Sequence, residues 1–142
     1  MPETFPDDLA ELLFRVNRRI RQAVHTDLAP LGVTPAQVRA LRTLERTAAP
    51  IRMSELADRL GIARRSATSV VDELVARRFV ERRADPHDRR ATTVVVTPAG
   101  REVLARLAER RQQVLAELTA GIPRSDLHRL RVTLRRIAEA PA

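Results

Sequence analysis

The chain has 142 residues, 44% apolar and 31% charged, enough for one domain with an aliphatic core. Three Phe and no Trp or Tyr argue against a module that stacks single-stranded bases on aromatic rings, and zero Cys excludes disulfides, Cys-type zinc sites and thiol redox sensing. All 26 basic residues are Arg, set against 18 acids; the net charge of +8 favours a polyanionic partner, with nucleic acid ahead of a membrane surface.

Leu9, Leu12, Leu13, Val16, Ile20, Val24 and Leu28 recur at helical spacing. They predict a long amphipathic helix over about residues 7–29, ended by Pro30 and Gly32. The acidic stretch Met1–Phe14 has no apolar segment of the leader type. No run approaches the roughly 18 apolar residues of a membrane span. A soluble, cytoplasmic protein is expected, with no membrane partner.

Thr34-Pro35-Ala36-Gln37 has the pattern of a capping box with Pro at the first helical position. The helix it opens carries Val38, Leu41 and Leu44 and runs to about Thr47. Met53–Leu60 reads as a short helix with Met53, Leu56, Ala57 and Leu60 inward, stopped by Gly61. A further helix starts near Ala63 or Arg64 and runs to about Arg77. Two short helices joined by a tight Gly turn form the helix-turn-helix pattern.

Phe79–Arg82 and Thr92–Val96 are β-type runs flanking a polar, basic segment with Asp85-Pro86 as a turn signal. They predict a hairpin with a charged tip, a wing. Thr97-Pro98 then opens a long helix to about Thr119, and after Gly121 and Pro123 a last helix carries Leu127, Leu130, Leu134 and Ile137. The fold class is therefore mainly α (α+β): a winged helix-turn-helix lobe with a two- or three-stranded wing sheet, plus long terminal helices. Residues 1–142 form a single domain, with the lobe at 30–97 and helical dimerisation regions at 1–29 and 98–142. The outer helices have little of their own chain to cover Leu9, Leu12, Leu13, Leu115, Leu118, Leu127, Leu130 and Leu134. The simplest way to cover these residues is a second copy about a two-fold axis.

On a wheel of 100° per residue, Ala67, Val70, Val71 and Leu74 share one side of the helix that begins at Arg64. Arg64, Arg65, Ser66, Thr68 and Ser69 form its outward N-terminal half. Short hydroxyl side chains let a helix approach base edges, and Arg reads guanine bidentately. Asp72 would repel phosphate, so it belongs beyond the groove or against an Arg. In the wing, Asp88 and Arg90 are two apart, which in extended chain puts them on one side, so the carboxylate is expected to hold the guanidinium for entry into the minor groove. Arg82, Arg83 and Arg89 are expected at adjacent phosphates.

At these residues the sequence resembles the MarR-type bacterial transcriptional regulators. The resemblance covers nearly the whole chain. It is carried by Leu31-Gly32-Val33-Thr34-Pro35-Ala36-Gln37, by Met53–Ile62, by Val71-Asp72-Glu73-Leu74, and by Asp85-Pro86-His87-Asp88-Arg89-Arg90 with Val96-Thr97-Pro98-Ala99-Gly100. It implies a homodimeric repressor on an inverted-repeat operator in double-stranded DNA, released by a small phenolic or aromatic acid. It also implies that Arg90 enters the minor groove. In the family the effector pocket lies between the dimerisation helices and the winged lobe, where Arg21 and His25 could bind a carboxylate. Two positions depart from the pattern: Arg78 stands where Gly is usual, and Ala63 replaces a Ser or Thr helix cap. Each change costs roughly 1 kcal/mol. His25, His87 and His128 lie far apart, so no metal or cofactor is expected. Nucleophile elbows, phosphate loops and paired carboxylates are absent, so no enzyme is expected. The competing reading is a non-specific basic protein on chromosomal DNA or structured RNA.

Overall fold

The computed structural model describes residues 8–47 and 49–141; the side chains of Asp27 and Leu28 also lie outside that description. The expectations for the acidic residues up to Asp7, for Ala48 and for the Leu28 side chain therefore lie outside the described residues. Helix α1 spans Leu9–Leu28, followed by a 3-10 turn at Ala29–Leu31 and α2 at Pro35–Glu45. Strand β1 (Ile51–Arg52) leads into α3 (Met53–Leu60) and α4 (Arg64–Ala76). Strands β2 (Val80–Ala84) and β3 (Thr92–Val96) make the hairpin, and α5 (Pro98–Leu118) and α6 (Arg124–Ala138) complete the order.

Local chemistry accounts for most of these boundaries. The capping box on α2 forms as the sequence predicts: the Gln37 amide donates to Thr34 Oγ1 at 3.2 Å, and the Thr34 amide to Gln37 Oε1 at 3.1 Å. Thr97 Oγ1 caps α5 by accepting the Gly100 amide at 3.1 Å. Gly61 ends α3 in the left-handed region at φ 65°, which gives the tight turn of the helix-turn-helix. Ala63 supplies no side-chain cap to α4.

The sheet is antiparallel in the order β1-β3-β2. Ile51 faces Val94 across β1 and β3, and Val80 faces Val96 across β2 and β3. Sequence pattern could not separate a two-stranded from a three-stranded wing, because β1 has only two residues. The β2 strand also starts one residue later than predicted and runs two residues further, to Ala84. Phe79 is withheld from the strand because it closes the end of α4. Its amide bonds the Leu74 carbonyl at 2.9 Å while the Arg78 amide bonds Val75 at 2.9 Å. These are the two crossed bonds of a Schellman end, and they place Arg78 at φ 61°.

The core is aliphatic, as composition requires. Leu41, Leu56, Val71 and Leu74 are fully buried where α2, α3 and α4 meet, and Val80, Val94 and Val96 seal the sheet against them. Val103 and Leu107 of α5 belong to the same cluster, so the first half of α5 packs into the winged lobe. Gly100 permits this close approach: a Cβ there would overlap the Phe79 carbonyl oxygen. Helix α1 packs on α5, whereas no described residue of α6 is buried.

Arg78 occupies a backbone region that costs an L-residue about 1–2 kcal/mol. Arg78→Gly should raise the midpoint of urea unfolding, with a net gain of about 0.5–1 kcal/mol after the extra freedom of glycine in the unfolded chain is subtracted. A lowered midpoint would mean that the Arg78 side chain stabilises the fold by more than its backbone strain costs.

Candidate nucleic-acid interface

Helix α4 is anchored through its inner face and its C-terminal end. Ala67, Val71 and Leu74 are buried, and Arg64, Arg65, Ser66, Thr68 and Ser69 are exposed together, as the wheel predicts. Thr68 turns its hydroxyl back onto the Arg64 carbonyl at 3.0 Å and keeps its lone pairs outward. Further along, Gln37 Nε2 donates to Glu73 Oε2 at 2.5 Å. The Arg77 guanidinium donates to the carbonyls of Leu31 (2.6 Å) and Gly32 and lies 5.1 Å from the centre of the Phe79 ring. These bonds tie the C-terminal end of α4 to the α1–α2 connection and leave its N-terminal half unencumbered.

The wing tip is built around two aspartates. Asp85 is buried; its Oδ1 accepts the His87 amide at 2.8 Å and its Oδ2 accepts Arg52 Nε at 2.7 Å. The His87 amide, then Arg52, hold the Asp85 carboxyl below the usual carboxylate range, and the same pairing raises Arg52. The Asp85 amide donates to Ala91 at 3.1 Å and the Ala91 amide to Asp88 at 3.0 Å, closing the loop. Asp88 differs from expectation. Its Oδ1 accepts the backbone amide of Arg90 at 3.0 Å, and its Oδ2 lies 4.0 Å from Arg52 Nη2. Residues 88–90 form a turn here, so the same-side rule for extended chain does not apply, and the brace acts on the backbone of Arg90 instead of its guanidinium.

The remaining charges divide into two groups. Arg82 pairs with Asp72, which gives that acid the arginine partner foreseen for it and joins β2 to α4. Arg83 pairs with Glu81, two residues away on the same side of β2. Among the described residues, the guanidiniums of Arg64, Arg65, Arg89 and Arg90 have no hydrogen bond or ion pair. Sequence reasoning missed Arg52 and the anchoring role of Asp85, since the two are 33 positions apart and only the Asp-Pro turn signal was local.

The other predicted sites fall elsewhere. Arg21 and His25 stand one turn apart on α1, with Gln22 and Thr26, around an open groove of about 480 Å³; Arg21 Nε donates to Asn17 at 3.1 Å. In the single chain Leu9, Leu115, Leu118 and Leu127 are half-buried, while Leu12, Leu13, Leu130 and Leu134 are exposed. No group of three or more His, Asp or Glu among the described residues is placed to hold a metal ion. No helix among them is long and apolar enough to cross a membrane.

Comparison with known proteins finds one family throughout. The MarR family model matches residues 31–91, from the α1–α2 connection to the far side of the wing tip. The multiple antibiotic resistance protein MarR of Salmonella typhimurium is 28% identical over 130 residues, covering 91% of this chain and 90% of that one. The crystal structure of apo wild-type MarR from Escherichia coli superposes with a TM-score of 0.77 at 29% identity, covering 95% and 98% of the two chains. The chain is similar to the MarR family, over the winged lobe by the family model and over nearly its whole length by these relatives. RV1404 from Mycobacterium tuberculosis has the same fold over the full length of this chain and 98% of its own, with a TM-score of 0.84 at 25% identity. These similarities support a winged helix-turn-helix, DNA-binding transcriptional regulator.

Because the Asp85 carboxyl is held below its unfolded value, its contacts stabilise the fold above that value, and the contribution is lost as pH falls through the lowered one. Asp85→Asn should therefore unfold at lower urea than the parent at pH 7, and the gap should close in acid. A gap that persists unchanged at the acid end would assign the loss to packing instead of charge.

Proposed function

We propose that this chain is a MarR-family, homodimeric, sequence-specific repressor acting on an inverted-repeat operator in the cytoplasm. Residues 30–97 serve as the DNA-binding lobe, and residues 1–29 and 98–142 as the dimerisation region. The observation that carries the reading is the set of guanidiniums on the outward half of α4 and at the wing tip that lack any protein partner, while Arg82, Arg83, Arg52 and Arg77 are all engaged. Arg65, with Ser66, Thr68 and Ser69 beside it, reads base edges in the major groove, and Arg64 takes an adjacent phosphate. Arg90, presented by the Asp88 turn, enters the minor groove, and Arg89 takes a neighbouring phosphate. Arg82 and Arg83 act at the same edge of the wing, with their internal ion pairs giving way to phosphate.

Dimerisation follows from the outer helices. Leu12, Leu13 and Val16 of α1 and Leu130, Leu134 and Ile137 of α6 are between 39% and 54% exposed, far more than apolar seams of isolated chains tolerate. Burying 1,000 Å² of such surface contributes on the order of 25 kcal/mol before association and ordering costs. A two-fold dimer places the two copies of α4 about 34 Å apart, or a multiple of that, on one DNA face. A small anionic effector that acts between the outer helices and the lobe releases the operator.

Selection from random duplexes should recover an inverted repeat whose affinity exceeds that of scrambled DNA by roughly 10³ or more at fixed salt. A non-specific binder would show no such gap. Arg90→Ala should lower the slope of log affinity against log salt by about one unit without altering the consensus. Arg65→Ala or Ser69→Ala should change the preferred base at one position, by roughly 1–3 kcal/mol of discrimination. Uniform loss across all sequences would move these two residues to the phosphates.

The dimer is tested separately. Leu130→Asp should give a monomer or an unfolded chain by light scattering and abolish operator binding. A wild-type monomer that binds a single half-site tightly would refute the proposed use of α1 and α6.

A further inference from the structure

We propose that the junction of α2 and α5 binds a compact small molecule carrying two or more negative charges, held by Arg42, Arg46 and Arg111. Arg42 and Arg46 are one turn apart on α2, and Leu104 and Arg111 are two turns apart on α5, so each pair shares a helix face. The two helices pack together, and Arg42, Glu45, Arg46, Leu104 and Arg111 line an open cavity of about 270 Å³. Glu45 is the one acid among these lining residues, and Arg101 already holds it, with Nε 3.2 and 3.3 Å from its two oxygens. Among the described residues, the guanidiniums of Arg42, Arg46 and Arg111 have no hydrogen bond or ion pair.

The three arginines repel one another without a counter-charge. Burial, then the charges of Arg111, Arg46 and Arg21, push Arg42 below the ordinary guanidinium value. A bound polyanion removes that repulsion and offers each planar fork a pair of oxygens. A monocarboxylate compensates one guanidinium and leaves the others as they were. No aromatic side chain lines the cavity, so a phenolic ring has nothing to stack on. The volume lies just under the roughly 300–1,000 Å³ of pockets for drug-sized ligands, which suits a phosphoryl or polycarboxylate group. This chemistry differs from the phenolic acid that the family resemblance implies, and the cavity lies beside Arg21, whose charge reaches Arg42.

The regulatory consequence rests on the repressor reading above. Helix α2 carries Gln37, whose amide bonds Glu73 of the recognition helix, and α5 joins the lobe to the outer helices. A ligand that draws α2 and α5 together acts on both.

The test is calorimetry on the full chain at constant ionic strength, with pyrophosphate, citrate and salicylate as probes and chloride as the balancing ion. Pyrophosphate and citrate should each bind once per chain, at least tenfold more tightly than salicylate; the stronger of the two identifies the source as phosphoryl or carboxylate. Arg42→Gln with Arg111→Gln should abolish this binding, whereas Arg129→Gln, which removes one charge from α6, should leave it unchanged. Because the double variant also relieves repulsion, its Tm at low salt should rise, and pyrophosphate should raise it no further. Tighter binding of salicylate, or unchanged pyrophosphate binding in the double variant, would overturn the proposal. It would equally fall if the double variant, with no probe present, lost operator affinity and salt slope, since DNA phosphate would then be the occupant. Failure of the wild-type protein to select an operator would instead remove the repressor reading and leave the calorimetric result standing.

Discussion

Recognition helix, wing and α5 all depend on one chain reversal, at Arg78 and Phe79. The crossed amide bonds to Leu74 and Val75 stop α4 and force Arg78 into the left-handed region. The reversal then supplies the start of α5. Thr97 donates its amide to the Phe79 carbonyl at 3.0 Å and its hydroxyl to the Arg78 carbonyl at 2.6 Å, while the same hydroxyl accepts the Gly100 amide. The end of the DNA-facing helix, the first pairing of the wing and the N-terminus of the longest helix thus share a few backbone groups. Rigid coupling of this kind fixes the angle between α4 and the wing, on which the proposed entry into two grooves depends. The amides and carbonyls of Arg78 and Phe79 all find partners, which helps the fold tolerate the strain at Arg78.

The wing tip solves a second problem, which is to hold a seven-residue charged loop in one shape. Regular pairing ends at Ala84 and Thr92, so the tip must supply its own order. Asp85 does this by accepting one bond from inside the loop and one from β1, and Asp88 by turning the chain at Arg90. The short β1 strand therefore matters more through the Arg52 side chain than through its two backbone pairings. Acids in this region serve as internal fasteners, and the arginines they leave over face outward.

Among the arginines without a protein partner, two groups stand where the fold gathers them into one place. One, at the N-terminal half of α4 and the wing tip, lies on side chains free to reach a long polyanion. The other surrounds the open cavity between α2 and α5, beside Leu104. Each is a place where a negative partner would compensate the gathered charge. The exposed apolar faces of α1 and α6 are the uncharged counterpart, surface that is satisfied only by another apolar surface.

Residue order alone determined whatever rests on neighbours within one turn of chain. The capping box at Thr34 and Gln37, the cap at Thr97, the stop at Gly61 and the apolar stripe Ala67, Val71 and Leu74 all involve residues three to five apart, and all were legible, whereas Arg78 drew notice only through the family resemblance. The outward set Arg64, Arg65, Ser66, Thr68 and Ser69 follows from the same periodicity. Tertiary structure decided the rest. Arg52 finds Asp85 across 33 positions and Arg82 finds Asp72 across ten, so no local pattern announces which arginines are engaged and which stay free. The Asp88–Arg90 spacing misled because it presumed extended chain, whereas hydrogen bonding to the backbone made a turn. Arg42, Arg46 and Arg111 come together only because α2 and α5 pack, since like charges gather where the core, and not their own attraction, sets the distance between helices.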